Sequence, residues 1–182
     1  MAVEIITLGG GCFWCTEAVY ERVQGVLAVQ SGYANGNVRE PTYAQVCDGD
    51  TGHAEVVRLE FDAAVISLRQ VLEIFFVVHD PTTLNRQGND VGTQYRSGIY
   101  LHSAVQREVA AAVLAEVVDA HRAHGAHGAK VVTELVALDN YWPAEDYHQH
   151  YFARNPGQGY CAAVVAPKVE KFKRTFRALM KG

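Results

Sequence analysis

Residues 4–23 read EIITLGGGCFWCTEAVYERV, and this stretch contains a strand pattern, a run of glycines and a helix pattern in succession. Residues 4–8 are mostly apolar and include β-branched side chains, which favours a strand. The glycines at 9–11 then predict a turn, and apolar residues recur at helical spacing from Phe13 onward. The stretch therefore predicts a strand, a glycine turn and a helix, with Cys12 at the corner where the helix begins.

Strand and helix patterns alternate along the rest of the chain. Strands are predicted at 26–33, 53–61, 95–101 and 130–138, and helices at 67–79, 103–123, 144–152 and 168–181. Polar or glycine-rich stretches predict loops at 34–51, 82–92 and 155–160. No repeat or change in composition marks a linker, so residues 1–182 are expected to form a single domain. Its predicted class is α+β, with helices packed on a mixed, mostly antiparallel sheet in a split βαβ (ferredoxin-like) arrangement.

The composition of the 182 residues is that of a globular protein, with 49% hydrophobic and 20% charged residues. The formal net charge of -4 supplies no cationic surface for a phosphate backbone, so we expect no nucleic-acid partner. No apolar run approaches the roughly 18 to 20 residues of a membrane span, and residues 1–8 lack the basic start of a secretion signal. We therefore predict a cytoplasmic protein without membrane contact, and we expect a monomer.

Cys12 is the first candidate functional residue. A cysteine at the start of a helix meets unpaired backbone N–H groups and the positive end of the helix dipole, which lower the pKa of its thiol. We therefore expect Cys12 to be a thiolate nucleophile. Together with Cys15 it also forms a C-x-x-C motif, which is typical of general dithiol oxidoreductases.

The same C-x-x-C motif is half of a zinc site, so a zinc-binding module is a further alternative. Such a site needs two more ligands at short spacing, and Cys47 has no partner of that kind. Three histidines, His121, His124 and His127, are spaced by three residues near the predicted end of a helix, where exposed side chains are commoner than ligands. We expect no metal.

Four further motifs appear in the order and at the spacing of one known family. They are GCFW at 11–14, GHAE at 52–55, RQGNDVGTQYRS at 86–97 and GYC at 159–161. The chain resembles the A-type peptide methionine sulfoxide reductases from about residue 5 to residue 161. This resemblance implies a single catalytic domain that reduces the S epimer of methionine sulfoxide, free and in proteins, through a sulfenic acid and then a disulfide. It further implies no cofactor, with thioredoxin or another dithiol supplying the electrons.

The chemistry implied by the resemblance requires a soft nucleophile and an acid, because oxide is not a leaving group at neutral pH. Glu55 is similar to the family's acid, and burial in an aromatic pocket raises the pKa of a carboxyl group. The resemblance assigns Tyr43 and Tyr95 to hydrogen bonds with the sulfoxide oxygen, Phe13 and Trp14 to an apolar box for the S-methyl group, and Asp90 and His148 to the same cavity.

The sulfenic acid on Cys12 must condense with a second thiol. Cys161 lies in the family's resolving position, on a glycine-containing stretch that we expect to swing toward Cys12. This sequence departs from the commonest pattern of the family, because Cys15 stands where many relatives have glycine and no cysteine follows residue 161. Cys161 is expected to form the first disulfide, with Cys15 as a later relay, and Cys47 is expected to be a bystander.

Overall fold

The computed structural model describes residues 2–123 and 129–182, which form one six-stranded sheet, a two-stranded hairpin and six α-helices in the described part. The strands are β1 Val3–Gly10, β2 Val26–Ala34, β3 Ala54–Asp62, β4 Arg86–Gln87, β5 Asp90–Val91, β6 Ser97–Leu101, β7 Glu134–Ala137 and β8 Tyr141–Pro143. The helices are α1 Phe13–Tyr20, α2 Tyr43–Asp48, α3 Leu68–Val78, α4 Ala104–Ala123, α5 Tyr151–Arg154 and α6 Ala166–Thr175. None of these helices has both the length and the apolar composition that crossing a membrane requires.

The large sheet has the strand order β7-β6-β1-β3-β2-β8. All neighbours pair antiparallel except β6 and β7, which run parallel. The four inner strands β6-β1-β3-β2, with α1 connecting β1 to β2 and α3 lying between β3 and β6, form a split βαβ unit. The predicted α+β class and sheet type are therefore confirmed.

The main core covers one face of this sheet. Ile6 and Leu8 of β1 alternate inward, and Phe75 of α3 and Phe172 of α6 are fully buried in the same cluster. A smaller cluster around Tyr100 lies separately from it. β1 is a central strand of the sheet and leads directly into α1. The sheet and the helix therefore both hold the corner between them in place.

The predicted glycine turn is shorter than expected. Gly9 and Gly10 belong to β1, where they pair with Gly98 and Ser97 of β6. A Cβ atom at Gly10 would lie 3.1 Å from the ring of Phe75, so the strand needs a glycine to approach α3 closely. Only Gly11, with φ of 88°, makes the turn.

Several further predictions need correction. The predicted loop at 34–51 contains α2, which begins with a capping box between Thr42 and Gln45 and ends at Gly49 in the left-handed conformation. The predicted loop at 82–92 contains the β4–β5 hairpin. The strand predicted at 130–138 is shorter and consists of β7 alone, and β8 was not predicted. The helix predicted at 144–152 is a 3₁₀ turn at Asp146–His148 followed by α5.

Cys161 does not lie on a glycine loop. It begins a π turn, Cys161–Val165, that continues directly into α6, and its side chain is fully buried. The wider turn has a local reason, since Pro167 has no N–H to donate to the preceding turn. The apolar stripe of the terminal segment is docked as predicted, because Val169 and Phe172 are buried.

Candidate active site

Cys12 and Cys15 lie at the corner between β1 and α1. Cys12 is the N-cap residue of α1, and the backbone N–H of Cys15 donates to its carbonyl oxygen at 3.1 Å, which closes the first helical turn. Both thiols are buried, with Cys12 8% exposed. A Cβ atom at Gly11 would lie 2.5 Å from the Cβ of Gln87, so glycine allows the hairpin segment to cover this corner.

The two thiols interact directly, and each shifts the pKa of the other. The hydrogen bond from Cys12, with the nearby charge of Lys168, lowers the pKa of Cys15 to about 7. Burial, and then the same hydrogen bond and the charge of Glu55, raise the pKa of Cys12 above its usual value. At Cys12 burial therefore opposes the effect of the helix terminus, and the thiol of the pair whose pKa is lowered is that of Cys15.

Glu55 places a carboxyl group on the other side of this corner. It lies on β3, is 1% exposed, and accepts the backbone N–H of Phe13 at Oε2 over 3.1 Å. Burial raises the pKa of Glu55 to about 8, with further contributions from the charges of Asp90 and Cys15. The expected raised pKa is confirmed, and Glu55 holds a proton at neutral pH.

Asp90 enters the site from the β4–β5 hairpin, and its partner is a residue to which the sequence motifs gave no role. The hydroxyl of Tyr160 donates to Oδ2 of Asp90 at 2.5 Å, and the Tyr160 ring meets Trp14 edge-on at 5.8 Å between centroids. Tyr160 also lies beside the thiols of Cys12 and Cys15, and its hydroxyl acts to lower the pKa of each. Tyr160 is the middle residue of the GYC motif, and this is the signal in the sequence that could have identified it.

Trp14 is held in a stack of rings. Its indole is parallel to Tyr151, at 3.7 Å between centroids and an interplanar angle of 4°, and its Nε1–H donates to Nδ1 of His148 at 3.1 Å. Phe13 lies 5.0 Å from His148, between ring centroids, and is fully buried. The structure therefore brings together Phe13, Trp14 and His148, as the resemblance implied, and Tyr151 packs as an aromatic support.

The two remaining phenols belong to two different elements. Tyr43 begins α2, with its ring 4.5 Å from that of His148, and Tyr95 lies in the 3₁₀ turn before β6. Burial, and after it the charge of Glu55 or of a hydrogen-bonded thiol, raises the pKa of both phenols, so both keep their protons. Each is thus a hydrogen-bond donor near Glu55.

Two buried or partly buried carboxylates, which the sequence did not reveal as important, fix the segments around these rings. Glu145 accepts the hydroxyls of Tyr33 at 2.9 Å and Tyr147 at 3.0 Å and the backbone N–H of Tyr43 at 3.2 Å. Glu17, fully buried in α1, accepts the backbone N–H groups of His150 and Tyr151, which begin α5.

The zinc alternative finds no support in residues 2–123 and 129–182. The only group of three metal-ligating side chains in these ranges is Glu17, Glu21 and His150, which does not include the C-x-x-C cysteines. His124 and His127 lie outside the described residues.

A buried thiol pair, a protonated carboxylic acid and a ring of phenols define a thiol-dependent redox enzyme that protonates a departing group. The chain belongs to the peptide methionine sulfoxide reductase family, whose family model matches residues 4–179. The family inferred from the motifs is confirmed.

Individual relatives agree. The chain is 56% identical over 178 residues to the peptide methionine sulfoxide reductase MsrA of Polynucleobacter asymbioticus, covering 98% of this chain and 92% of the relative. Methionine sulfoxide reductase A of Corynebacterium diphtheriae is 35% identical, with a TM-score of 0.82 over 89% of this chain and 79% of that one. Mxr1 from Saccharomyces cerevisiae is similar in its reduced form (TM-score 0.79, 38% identity, 90% and 91% coverage) and in complex with Trx2 (TM-score 0.55, 27% identity, 82% and 85% coverage).

Glu55→Gln is expected to stabilise the fold at alkaline pH. The pKa of Glu55 is about 8 when folded and 4.5 as an isolated side chain, so between these values the folded protein binds more protons than the unfolded chain. Stability contributed by this group is complete below the lower value and falls as pH rises through about 8. Urea unfolding of both proteins tests this: the advantage of the variant should grow from about pH 5 to about pH 8, and a constant difference would contradict the burial of a titrating Glu55.

Proposed function

We propose that this chain reduces methionine sulfoxide, the S epimer, both free and in oxidised proteins, and so repairs them. The observation that carries this proposal is the hydrogen bond between the Phe13 N–H and Glu55, because it fixes a protonated acid against the turn that holds Cys12. A nucleophilic sulfur and a proton donor beside one another are what sulfoxide reduction requires.

In the first step the sulfur of Cys12 attacks the sulfoxide sulfur while Glu55 donates its proton to the sulfoxide oxygen. The proton of Cys12 passes to the Cys15 thiolate to which it is hydrogen-bonded, so the negative charge moves from Cys15 to Glu55. The adduct then collapses: its sulfur–oxygen bond breaks, the oxygen passes to Cys12 and methionine leaves. Cys12 becomes a sulfenic acid, having supplied two electrons.

The surrounding residues orient the substrate. Tyr43 and Tyr95 donate hydrogen bonds to the sulfoxide oxygen, and Asp90, held by Tyr160, keeps this part of the site ordered. Phe13 and Trp14 contact the S-methyl group, an apolar contact that sulfur compounds make well with aromatic rings.

In the second step a thiol displaces water from the sulfenic acid and forms a disulfide with Cys12. The sequence alone favoured Cys161, on the assumption of a mobile loop. We infer the opposite order, because Cys15 lies in the same helical turn as Cys12 and its thiol interacts with that of Cys12, whereas Cys161 is buried in a different helical turn. Cys161, whose pKa is raised by burial and by the charge of Cys15, then attacks Cys15 and frees Cys12.

A dithiol protein, thioredoxin, reduces the resulting disulfide and regenerates both thiols. Support comes from the solved complex of Mxr1 with the thioredoxin Trx2. The proposal includes residues 1–182 as one catalytic domain, a monomer in the cytoplasm, with no cofactor, metal, nucleic acid or membrane required.

A general dithiol oxidoreductase is the second candidate, because Cys15 has a pKa of about 7 and contacts Cys12. Such an enzyme exchanges disulfides through its two cysteines alone. It therefore does not need Glu55, and the acid distinguishes the two candidates.

Cys12→Ser is expected to abolish sulfoxide reduction, since a protonated hydroxyl is a far weaker nucleophile toward sulfur. Turnover of a methionine sulfoxide peptide with dithiothreitol measures this, and circular dichroism with thermal unfolding checks the fold. Appreciable turnover by the folded variant would refute the proposal.

Glu55→Gln is expected to lower the chemical step by roughly 10² to 10⁴-fold, the usual contribution of a positioned acid. The wild-type single-turnover rate should fall as pH rises through about 8, because Glu55 then loses its proton. Glu60→Gln, on the same strand but partly exposed, is the matched control and should retain activity. A loss of only a few fold in Glu55→Gln, with disulfide exchange intact, would favour the dithiol oxidoreductase.

The order of disulfides is expected to be Cys12–Cys15 first. One turnover without reductant, followed by acid quenching and peptide mass spectrometry at successive times, should show this link before any link to Cys161. Cys161→Ser should still form it, but should lose recycling by thioredoxin more than recycling by dithiothreitol. Early appearance of a Cys12–Cys161 link would reverse the order.

A further inference from the structure

The β4–β5 hairpin, residues 86–91, is tied to the rest of the protein by few hydrogen bonds. Those of the Thr83 and Arg86 side chains, and those between the two strands, lie within residues 83–92. Among residues 2–123 and 129–182, only Gln87 and Asp90 hydrogen-bond from the hairpin to other parts of the chain. These two side chains therefore determine where the hairpin lies.

Gln87 holds the hairpin to the segment that follows α3. Its Oε1 accepts the backbone N–H of Asp80 at 3.0 Å, and its Nε2 donates to the backbone carbonyl oxygen of the same residue, also at 3.0 Å. The side chain is 7% exposed. A glutamine amide carries one acceptor and one donor side by side, so it can bind both backbone groups of a single residue at once. This amide clamp fixes the distance between the hairpin and the end of α3.

The same side chain also contacts the turn that holds Cys12. A Cβ atom at Gly11 would lie 2.5 Å from the Cβ of Gln87 and 2.6 Å from its Cγ. Gln87 pairs directly with Asp90 across the hairpin, so both side chains project from the same face. Asp90 in turn accepts the hydroxyl of Tyr160, which lies beside the two thiols. One face of the hairpin thus meets both the turn of the nucleophile and the phenol next to it.

We propose that Gln87 is a positioning residue for sulfoxide reduction, and that its amide clamp on Asp80 sets the hydrogen bond between Asp90 and Tyr160 and the cover over Gly11. Without the clamp, Asp90 alone ties the hairpin to the rest of the protein by hydrogen bonds. Small displacements of groups around a reacting centre lower its rate steeply. The inference rests on the proposed function and adds to it the residue that fixes the geometry of the site.

Gln87→Met tests the clamp, because it removes both hydrogen bonds and keeps the Cβ and Cγ atoms that contact Gly11. Gln106→Met is the matched control: Gln106 is 6% exposed and also binds two backbone groups, the N–H of His102 at 2.9 Å and the carbonyl oxygen of Ile5 at 2.7 Å, far from the thiols along β1. Both variants should lower the midpoint of urea unfolding. We expect Gln87→Met to lower the single-turnover rate by about 10- to 100-fold and Gln106→Met by less than about 3-fold.

Gln87→Glu adds a pH profile that a loss of stability does not produce. A protonated carboxyl group has a donor and an acceptor, as the amide has, whereas an ionised one has acceptors only. Divided by the wild-type rate at each pH, the rate of Gln87→Glu should be close to one at low pH and should fall toward that of Gln87→Met as the introduced carboxyl ionises. The same ratio for Gln87→Met should not depend on pH.

Hydrogen exchange of the resting enzyme separates this proposal from the proposed function. Gln87→Met should speed the exchange of amides in residues 80–92 and leave those of β1 unchanged. Faster exchange with a turnover rate within about 3-fold of wild type would overturn the proposal, and so would unchanged exchange with lost turnover, or an equal loss of turnover in Gln106→Met. A wild-type protein that reduces no methionine sulfoxide would instead overturn the proposed function, and the exchange rates would still decide whether Gln87 holds the hairpin.

Discussion

One buried carboxyl group determines how the site is built. Glu55 is removed from water by the sheet on one side and by the start of α1 on the other, and a single backbone N–H is hydrogen-bonded to it. A charged carboxylate with so little compensation is unstable, so the group keeps its proton. The fold therefore accepts a cost in stability at the point where it holds a proton for transfer, and the central strands β1 and β3 must be rigid enough to bear it.

The aromatic wall depends on a second set of buried charges. Trp14 is fixed by Tyr151 beneath it and His148 at its edge. His148 ends the 3₁₀ turn between β8 and α5, and Tyr151 begins α5. That segment is tied to α1 by Glu17, so the helix that carries the thiols also positions the wall facing them. The aromatic wall and the thiol pair are thus held together by one set of contacts.

The sequence predicted the split βαβ plan, because strand and helix periods were clear in the inner strands and α3. It also predicted which residues lie near Cys12, including Phe13, Trp14 and Glu55, because the motifs fix their positions in the chain. It missed α2, whose signal is a capping box inside a polar stretch, and β8, which is three residues long and is defined by its pairing with β2. The pKa shifts of the thiol pair could not be read from the sequence either, because helix position favours a thiolate on Cys12, whereas burial and the contact with Cys15 oppose it.

The π turn before Pro167 affects the rate at which Cys161 reacts. Cys161 is fully buried in this turn, so its thiol becomes accessible to a reactant from solvent only when the turn opens. Cys161 is therefore protected by an equilibrium: its observed rate of reaction is its intrinsic rate multiplied by the fraction of molecules in which this turn is open. The stability of this single helical turn therefore limits how fast the buried thiol of Cys161 reacts.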